Sequence, residues 1–260
     1  MIMSVVSTHN AGFFSCCSLK LDNIVSFINK NKKLPERVDS SQQFQWYKVN
    51  GSNDITYHYF KEYPKELDEV HFPIEYTHND QFNLYSTIDY SGLTPLIHRY
   101  FSLSDAVVSY MTRLEQKYIL DYDNLCVLFY RGNDKNTETK ICNYEEYVVY
   151  AEKVRQQNPH IRFLIQSDET QFIQFFLNIF PDSIWFKDEV RHIPRCNNTV
   201  DHLMRDKIDY FSKYYLAITM VMSKCKYIVC GTGNCSIWIL LYRGSCDGVF
   251  QNLDGVWYEL

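Results

Sequence analysis

Glycine and proline are scarce in this chain, 9 and 7 of 260 residues, and the glycine-dependent signatures are missing with them. Without Gly-x-x-x-x-Gly-Lys-Ser/Thr there is no phosphate loop of the ATP-hydrolysing kind, and without Gly-x-Ser-x-Gly there is no nucleophile elbow for hydrolase chemistry. No Gly-x-Gly-x-x-Gly fingerprint is present either. Excess positive charge is lacking: the formal net charge is −5 and the lysines are scattered, apart from a short Lys30-Asn31-Lys32-Lys33 cluster. A nucleic-acid partner is therefore not expected. No apolar run is long enough to span a bilayer, so no transmembrane segment is expected. Residues 1–10 have no basic region followed by a signal-length apolar core, and the expected location is the cytoplasm. The nine cysteines are an odd number with no Cys-x-x-Cys spacing, which fits buried reduced thiols better than disulfides or zinc. His58, His71, His78 and His98 are dispersed without ligand spacing, so neither a metal site nor a resident cofactor is expected.

What the chain does have is apolar and aromatic: 46% hydrophobic residues, with 21 Tyr and 17 Phe, in a length that suits one large or two small domains. Its organising stretch is 125–134, Leu-Cys-Val-Leu-Phe-Tyr-Arg-Gly-Asn-Asp. Six uncharged residues rich in Leu, Val and aromatics read as a strand buried on both faces. The polar cluster Arg131, Gly132, Asn133, Asp134 then stands at the carboxyl end, where open α/β sheets bind ligands. Arg131 offers a fork of donors suited to phosphate oxygens, and Gly132 would let the backbone approach a ligand. The plainer alternative is a strand-ending turn whose arginine pairs with a nearby carboxylate.

Residues 2–7 read as a first strand, ending in the loop His9 to Ser15 with Asn10 and Gly12. Leu19, Ile24, Phe27 and Ile28 follow at helical spacing up to Lys33. Strand, glycine-containing loop and helix can seat a phosphate on backbone N–H groups, or can be an ordinary connection. Residues 44–49 look like a second strand, and Tyr57, Tyr59 and Phe60 a third after a turn at Asn50-Gly51. Ser104-Asp105 opens a helix carrying Val107, Val108, Met111, Leu114 and Tyr118. Asp121-Tyr122-Asp123 precedes the central strand and reads as a turn.

The second half alternates. Asn143 with Glu146 forms a capping-box start for a helix, 162–166 is a strand, 170–178 a helix and 184–186 a short strand. A polar loop covers 188–201, a long helix 207–223, a strand 227–230 and a helix 237–242. Strands alternating with helices imply a parallel sheet. Three strands then end in polar clusters on one sheet edge: Arg131-Gly132-Asn133-Asp134, Ser167-Asp168-Glu169 and Gly231-Thr232-Gly233-Asn234-Cys235-Ser236. The last offers close backbone approach, N–H donors and hydroxyls to a phosphate. Asp168 and Glu169 offer acceptors for ribose hydroxyls or a base edge, or else a strand turn and a helix cap.

The order Arg131-x-x-Asp134-Lys135, then Phe163-Leu-Ile-Gln-Ser-Asp168-Glu169, then Ser223-Lys-Cys-Lys-Tyr-Ile-Val-Cys230 with its small-residue loop resembles the fucosyltransferase superfamily. That superfamily comprises the α1,6-fucosyltransferases, nodulation fucosyltransferases and protein O-fucosyltransferases. The resemblance covers residues 123–244. It implies a GT-B fold and transfer of L-fucose from GDP-fucose to a glycan or other acceptor, with inversion and without a metal. Under it, Arg131 matches the arginine that contacts donor phosphates, Asp168 with Glu169 the acidic position, and Thr232 to Ser236 the phosphate loop. The loop from His9 to Ser15 corresponds more loosely to a Gly-Asn loop. Phe129, Gly132 and Ile218-Thr219 depart from the family pattern, where a histidine, a second arginine and an acidic residue are common.

The expectation is an α/β, compact GT-B-like protein of two Rossmann-like units with parallel sheets. Residues 1–120 form a reduced acceptor-side domain and 121–260 the nucleotide-sugar-binding domain. Arg131 and His9 are the candidate catalytic residues. Asn10, Gly12, Arg131, Gly132, Asp134, Lys135, Asp168, Glu169, Thr232, Gly233, Asn234 and Ser236 are the candidate donor-binding residues. A nucleotide-binding protein without transferase activity, a sensor or a scaffold in glycan assembly, is the alternative.

Overall fold

The computed structural model describes residues 4–49, 54–63, 72–137, 139–189 and 191–260. The turn expected at Asn50-Gly51, and His71, lie outside the described residues. In chain order the elements are β1 (Ser4–Val6), α1 (Phe13–Asn31), β2 (Arg37–Asp39), α2 (Thr56–Tyr59), α3 (Tyr90–Tyr100), α4 (Asp105–Tyr118), β3 (Leu125–Tyr130), α5 (Tyr144–Gln157), β4 (Arg162–Ser167), α6 (Thr170–Ile179), α7 (Val200–Leu203), α8 (Ile208–Lys224), β5 (Tyr227–Gly231), α9 (Asn234–Arg243), β6 (Val249–Leu253) and β7 (Val256–Glu259).

The central strand β3 is buried along its whole length, as its lack of charge requires. Leu125, Val127 and Phe129 face one core with α8 and α9, while Cys126, Leu128 and Tyr130 face a second core with α5 and α6. The sheet order is β4-β3-β5-β6-β7, parallel except for the closing hairpin β6–β7. From β3 the chain goes first to β4 on one side and then to β5 on the other, so the order reverses between β3 and β5. Such a switch point opens a crevice at the carboxyl ends of its two strands.

The first unit is reduced to one β-α-β turn, with β1 and β2 paired in parallel over three residues each. Its helix α1 buries Phe13, Phe14, Leu21, Ile24 and Ile28 in the same cluster that holds α3, α8 and α9. The cap signals read from the sequence are present. Ser104 accepts the Val107 N–H at 3.4 Å, and Asn143 and Glu146 form a reciprocal capping box.

Several elements differ from the sequence reading. Residues 44–49 contain a 3-10 turn, Gln45–Tyr47, instead of a strand. Phe44 and Tyr47 both pack on Phe13, and residues three apart share a side in a helical turn, not in a strand. The aromatic run at 57–60 forms α2, and only Phe60 makes a bridge, to Leu103. Residues 184–186 contribute one bridge, Leu164 to Ile184, not a strand. The hairpin β6–β7 lies beyond the elements read from the sequence. All nine cysteines are free thiols, six of them buried. Among the described residues no helix is long and apolar enough to cross a membrane.

Candidate active site

Two helix N-termini meet at the switch point. α9 starts from Gly233 at φ +136°, a conformation that favours glycine, and an added Cβ there would come within 2.8 Å of Lys135 Cε. Tyr85 holds this corner, its hydroxyl accepting the Gly233 N–H at 3.1 Å. α1 starts from Gly12, and its first N–H, of Phe13, donates to the Tyr47 hydroxyl at 2.7 Å. Neither helix is capped by its own N-cap side chain, a glycine in both, or carries an acidic residue in its first turn. Both therefore present positive dipole ends and N–H groups.

These two N-termini line one cavity of about 330 Å³, together with Trp46, Gln81, Arg131, Asp134, Lys135, Asp168, Arg191, Thr199, Val200, Asp201, Tyr215 and Thr232. The three polar strand ends thus converge, as expected from their common sheet edge. Of the sequence candidates, Gly12, Arg131, Asp134, Lys135, Asp168, Thr232, Gly233, Asn234 and Ser236 line the cavity. An added Cβ at Gly12 would meet nothing within 4 Å.

Arg131 is held between two carboxylates. Its Nη2 donates to Asp134 Oδ1 at 3.1 Å, and its Nε lies 3.1 Å from Asp168 Oδ2 without the N–H being aimed at it. Its Nη1 donates to Cys235 Sγ at 3.4 Å, and the Tyr215 hydroxyl contacts the same sulfur. The arginine–carboxylate pairing raised as the plainer reading is therefore present, alongside the exposure of the guanidinium to the cavity. Asp168 is almost completely buried and accepts the Gly132 N–H at 2.8 Å. Burial pushes its carboxyl above the usual range, against the pull of Arg131, the Gly132 N–H and Arg191.

Four candidates stand outside the lining. Glu169 faces away from it and accepts from the Asn133 N–H at 2.9 Å, from Arg195 at 3.1 and 3.2 Å, and from the Tyr144 hydroxyl. Gly132 makes room for that carboxylate, where the sequence had suggested room for a ligand. Asn10 braces the neighbouring loop, donating to Gln42 O at 2.7 Å and accepting the Gln45 N–H at 2.9 Å. His9 sits one hydrogen bond behind the cavity, with Nε2 2.9 Å from Ser15 Oγ, and burial lowers its pKa, with His78 adding to the effect.

Three further residues shape the site: Asn133, read from the sequence as part of the polar cluster but not as a site residue, and Asp201 and Arg191, which the sequence reading left inside a polar loop. Asn133 is buried, donates to Asp168 O at 2.6 Å and accepts the Cys196 N–H at 3.0 Å, tying the Arg131 turn to the loop before α7. Asp201, at the start of α7, opens on the cavity and accepts from the Tyr47 hydroxyl. Arg191 lines the cavity with its guanidinium carbon 3.2 Å from the centre of the Tyr215 ring. No local motif marks Arg191 or Asp201. Both lie in or beside an irregular polar loop.

The arrangement is that of a Rossmann-like α/β protein whose topological switch point holds a cavity lined by two helix N-termini, three cations and three carboxylates. No protein-family model matches the chain, and no curated protein matches it. Solved structures do. Fucosyltransferase NodZ from Bradyrhizobium superposes with a TM-score of 0.57 at 11% identity, covering 99% of this chain and 98% of that one. NodZ alpha-1,6-fucosyltransferase co-crystallized with GDP, and the same enzyme soaked with GDP-fucose, give TM-scores of 0.56 and 0.52 at 10% identity over the same shares. The chain has a fucosyltransferase-like GT-B fold.

Proposed function

We propose that this protein is a fucosyltransferase-like glycosyltransferase, taking a sugar from a nucleoside-diphosphate donor, GDP-fucose by analogy with the NodZ complexes, to a hydroxyl of a glycan or other acceptor. The observation that carries this reading is the convergence of two helix N-termini and the cations Arg131, Lys135 and Arg191 on one cavity at the switch point. In it, residues 121–260 hold the donor and residues 1–120 supply the acceptor side. The acceptor oxygen attacks the anomeric carbon with inversion, and the bond to the diphosphate breaks. Negative charge grows on the leaving phosphate, where preorganised N–H groups and Arg131 stabilise it without a metal. The candidates for taking the acceptor proton are Asp201, which lines the cavity, and His9, which is hydrogen-bonded to the lining residue Ser15.

Calorimetry with GDP, followed by turnover of GDP-fucose with and without EDTA, tests the proposal. Binding with turnover that survives chelation is expected. Binding without turnover would favour a sensor, and absence of binding a scaffold. Activity lost to EDTA and restored by Mn²⁺ or Mg²⁺ would refute the metal-free mechanism.

A further inference from the structure

The donors of Arg131 are largely committed to Asp134, to the field of Asp168 and to the Cys235 sulfur. Arg191 is different. It is only 6% exposed, yet among the described residues it donates no hydrogen bond and pairs with no carboxylate within 4.0 Å. Its Nε is buried without an acceptor. Aromatic faces hold it instead, Tyr215 at 3.2 Å and Phe211 at 5.9 Å from ring centre to guanidinium carbon. The nearby carboxylates are engaged elsewhere: Asp168 by Gly132 and Arg131, Asp201 by Tyr47.

The buried Nε is costly, because it has lost water and gained no acceptor. Stacking on an aromatic ring offsets part of that cost and fixes the plane of the fork. The side chain lines the cavity that the N-termini of α1 and α9 also line, so an anion in that cavity is a fitting partner for the guanidinium donors that no protein acceptor among the described residues takes. A diphosphate supplies paired oxygens that match the fork.

We infer that Arg191 is a phosphate-binding residue of this cavity, the cation whose donors the protein leaves for the diphosphate, with Tyr215 as the platform that orients it. This rests on the nucleoside-diphosphate reading above. It adds that the phosphate site is assembled from the loop before α7 as well as from the strand ends.

Calorimetry with GDP, inorganic pyrophosphate and guanosine on the wild-type chain, Arg191→Met and Arg191→Lys tests it. Arg191→Met keeps an apolar stem over Tyr215 and should weaken GDP and pyrophosphate about 10- to 100-fold, the worth of charge-assisted hydrogen bonds, while leaving guanosine within about twofold. Arg191→Lys should recover only part of the loss, because a point charge lacks the fork. The melting temperature should hold or rise, since no protein hydrogen bond is removed. Unchanged pyrophosphate and GDP affinity in Arg191→Met overturns the inference, and so does a lowered melting temperature with equal losses for all three probes. Wild-type protein that binds pyrophosphate through Arg191 but not GDP would refute the transferase reading alone. Wild-type protein that binds neither would refute both.

Discussion

A methyl group added at Gly132 would meet Glu169 Oε1 at 2.0 Å and Cδ at 2.2 Å. That carboxylate cannot simply swing aside. It is buried and held by the Asn133 N–H, Tyr144 and Arg195. Gly132→Ala should therefore destabilise the fold by about 1–3 kcal/mol through overpacking. It should also disturb the turn that presents Arg131. Urea denaturation measures the first effect, and a neutral result would mean that Glu169 has room to move.

Arg131→Ala should act twice. It leaves the buried Asp168 without its ion-pair partner, and breaking such a pair costs about 3–5 kcal/mol. It also removes a donor from the cavity, with an expected loss of about 10²–10³ in turnover. Melting temperature and specific activity on one preparation separate the two. A destabilised variant whose folded fraction is fully active would leave Arg131 a purely structural role.

Lys20 is fully buried on α1, near the Phe101 ring at 5.5 Å, and burial pushes its ammonium down to about 8, opposed by Cys17 and Asp54. Below about pH 8 both the folded and unfolded chains carry the proton, and the folded chain bears the cost of a buried charge. Between about 8 and 10.5 the unfolded chain binds more protons, so this residue's contribution to stability rises with pH. Lys20→Met should accordingly be more stable than wild type at pH 7 by about 3 kcal/mol, an order-of-magnitude figure from the pKa gap. The advantage should shrink above pH 8. A pH-independent difference would show that Lys20 binds its proton equally in the folded and unfolded chains, with no lowered pKa.

Thiol labelling should follow burial. Cys196 is exposed and should react first, Cys235 and Cys246 more slowly, and Cys16, Cys17, Cys126, Cys142, Cys225 and Cys230 only on unfolding. GDP should slow Cys235 in particular, because that sulfur lines the cavity. Mass spectrometry of labelled peptides checks both. Rapid labelling of Cys126 or Cys230 in the native protein would contradict the packing of the central strands.

The parts of the fold that were legible in the sequence are those decided by local pattern. The uncharged run of β3, the Asn143–Glu146 capping box and the Ser104 cap carry their own physical signals, and each stands where the pattern put it. The polar strand ends were legible for the same reason, since a parallel sheet brings Arg131, Asp168 and Thr232 to one edge once the strands are known. The aromatic stretches at 44–49 and 57–60 were not, because Phe and Tyr favour strands by propensity, and tertiary packing on Phe13 overrode it.

The sequence by itself determined the α/β class, the common sheet edge of the polar strand ends and the chemistry offered there, because strand burial and strand-end polarity are properties of neighbours along the chain. Which carboxylate Arg131 meets, that Glu169 turns away to fill the space beside Gly132, and that Arg191 lies over Tyr215 inside the cavity were decided only by tertiary structure. Those relations join residues from separate elements and an irregular loop, and no periodicity in the chain encodes where such a loop will lie.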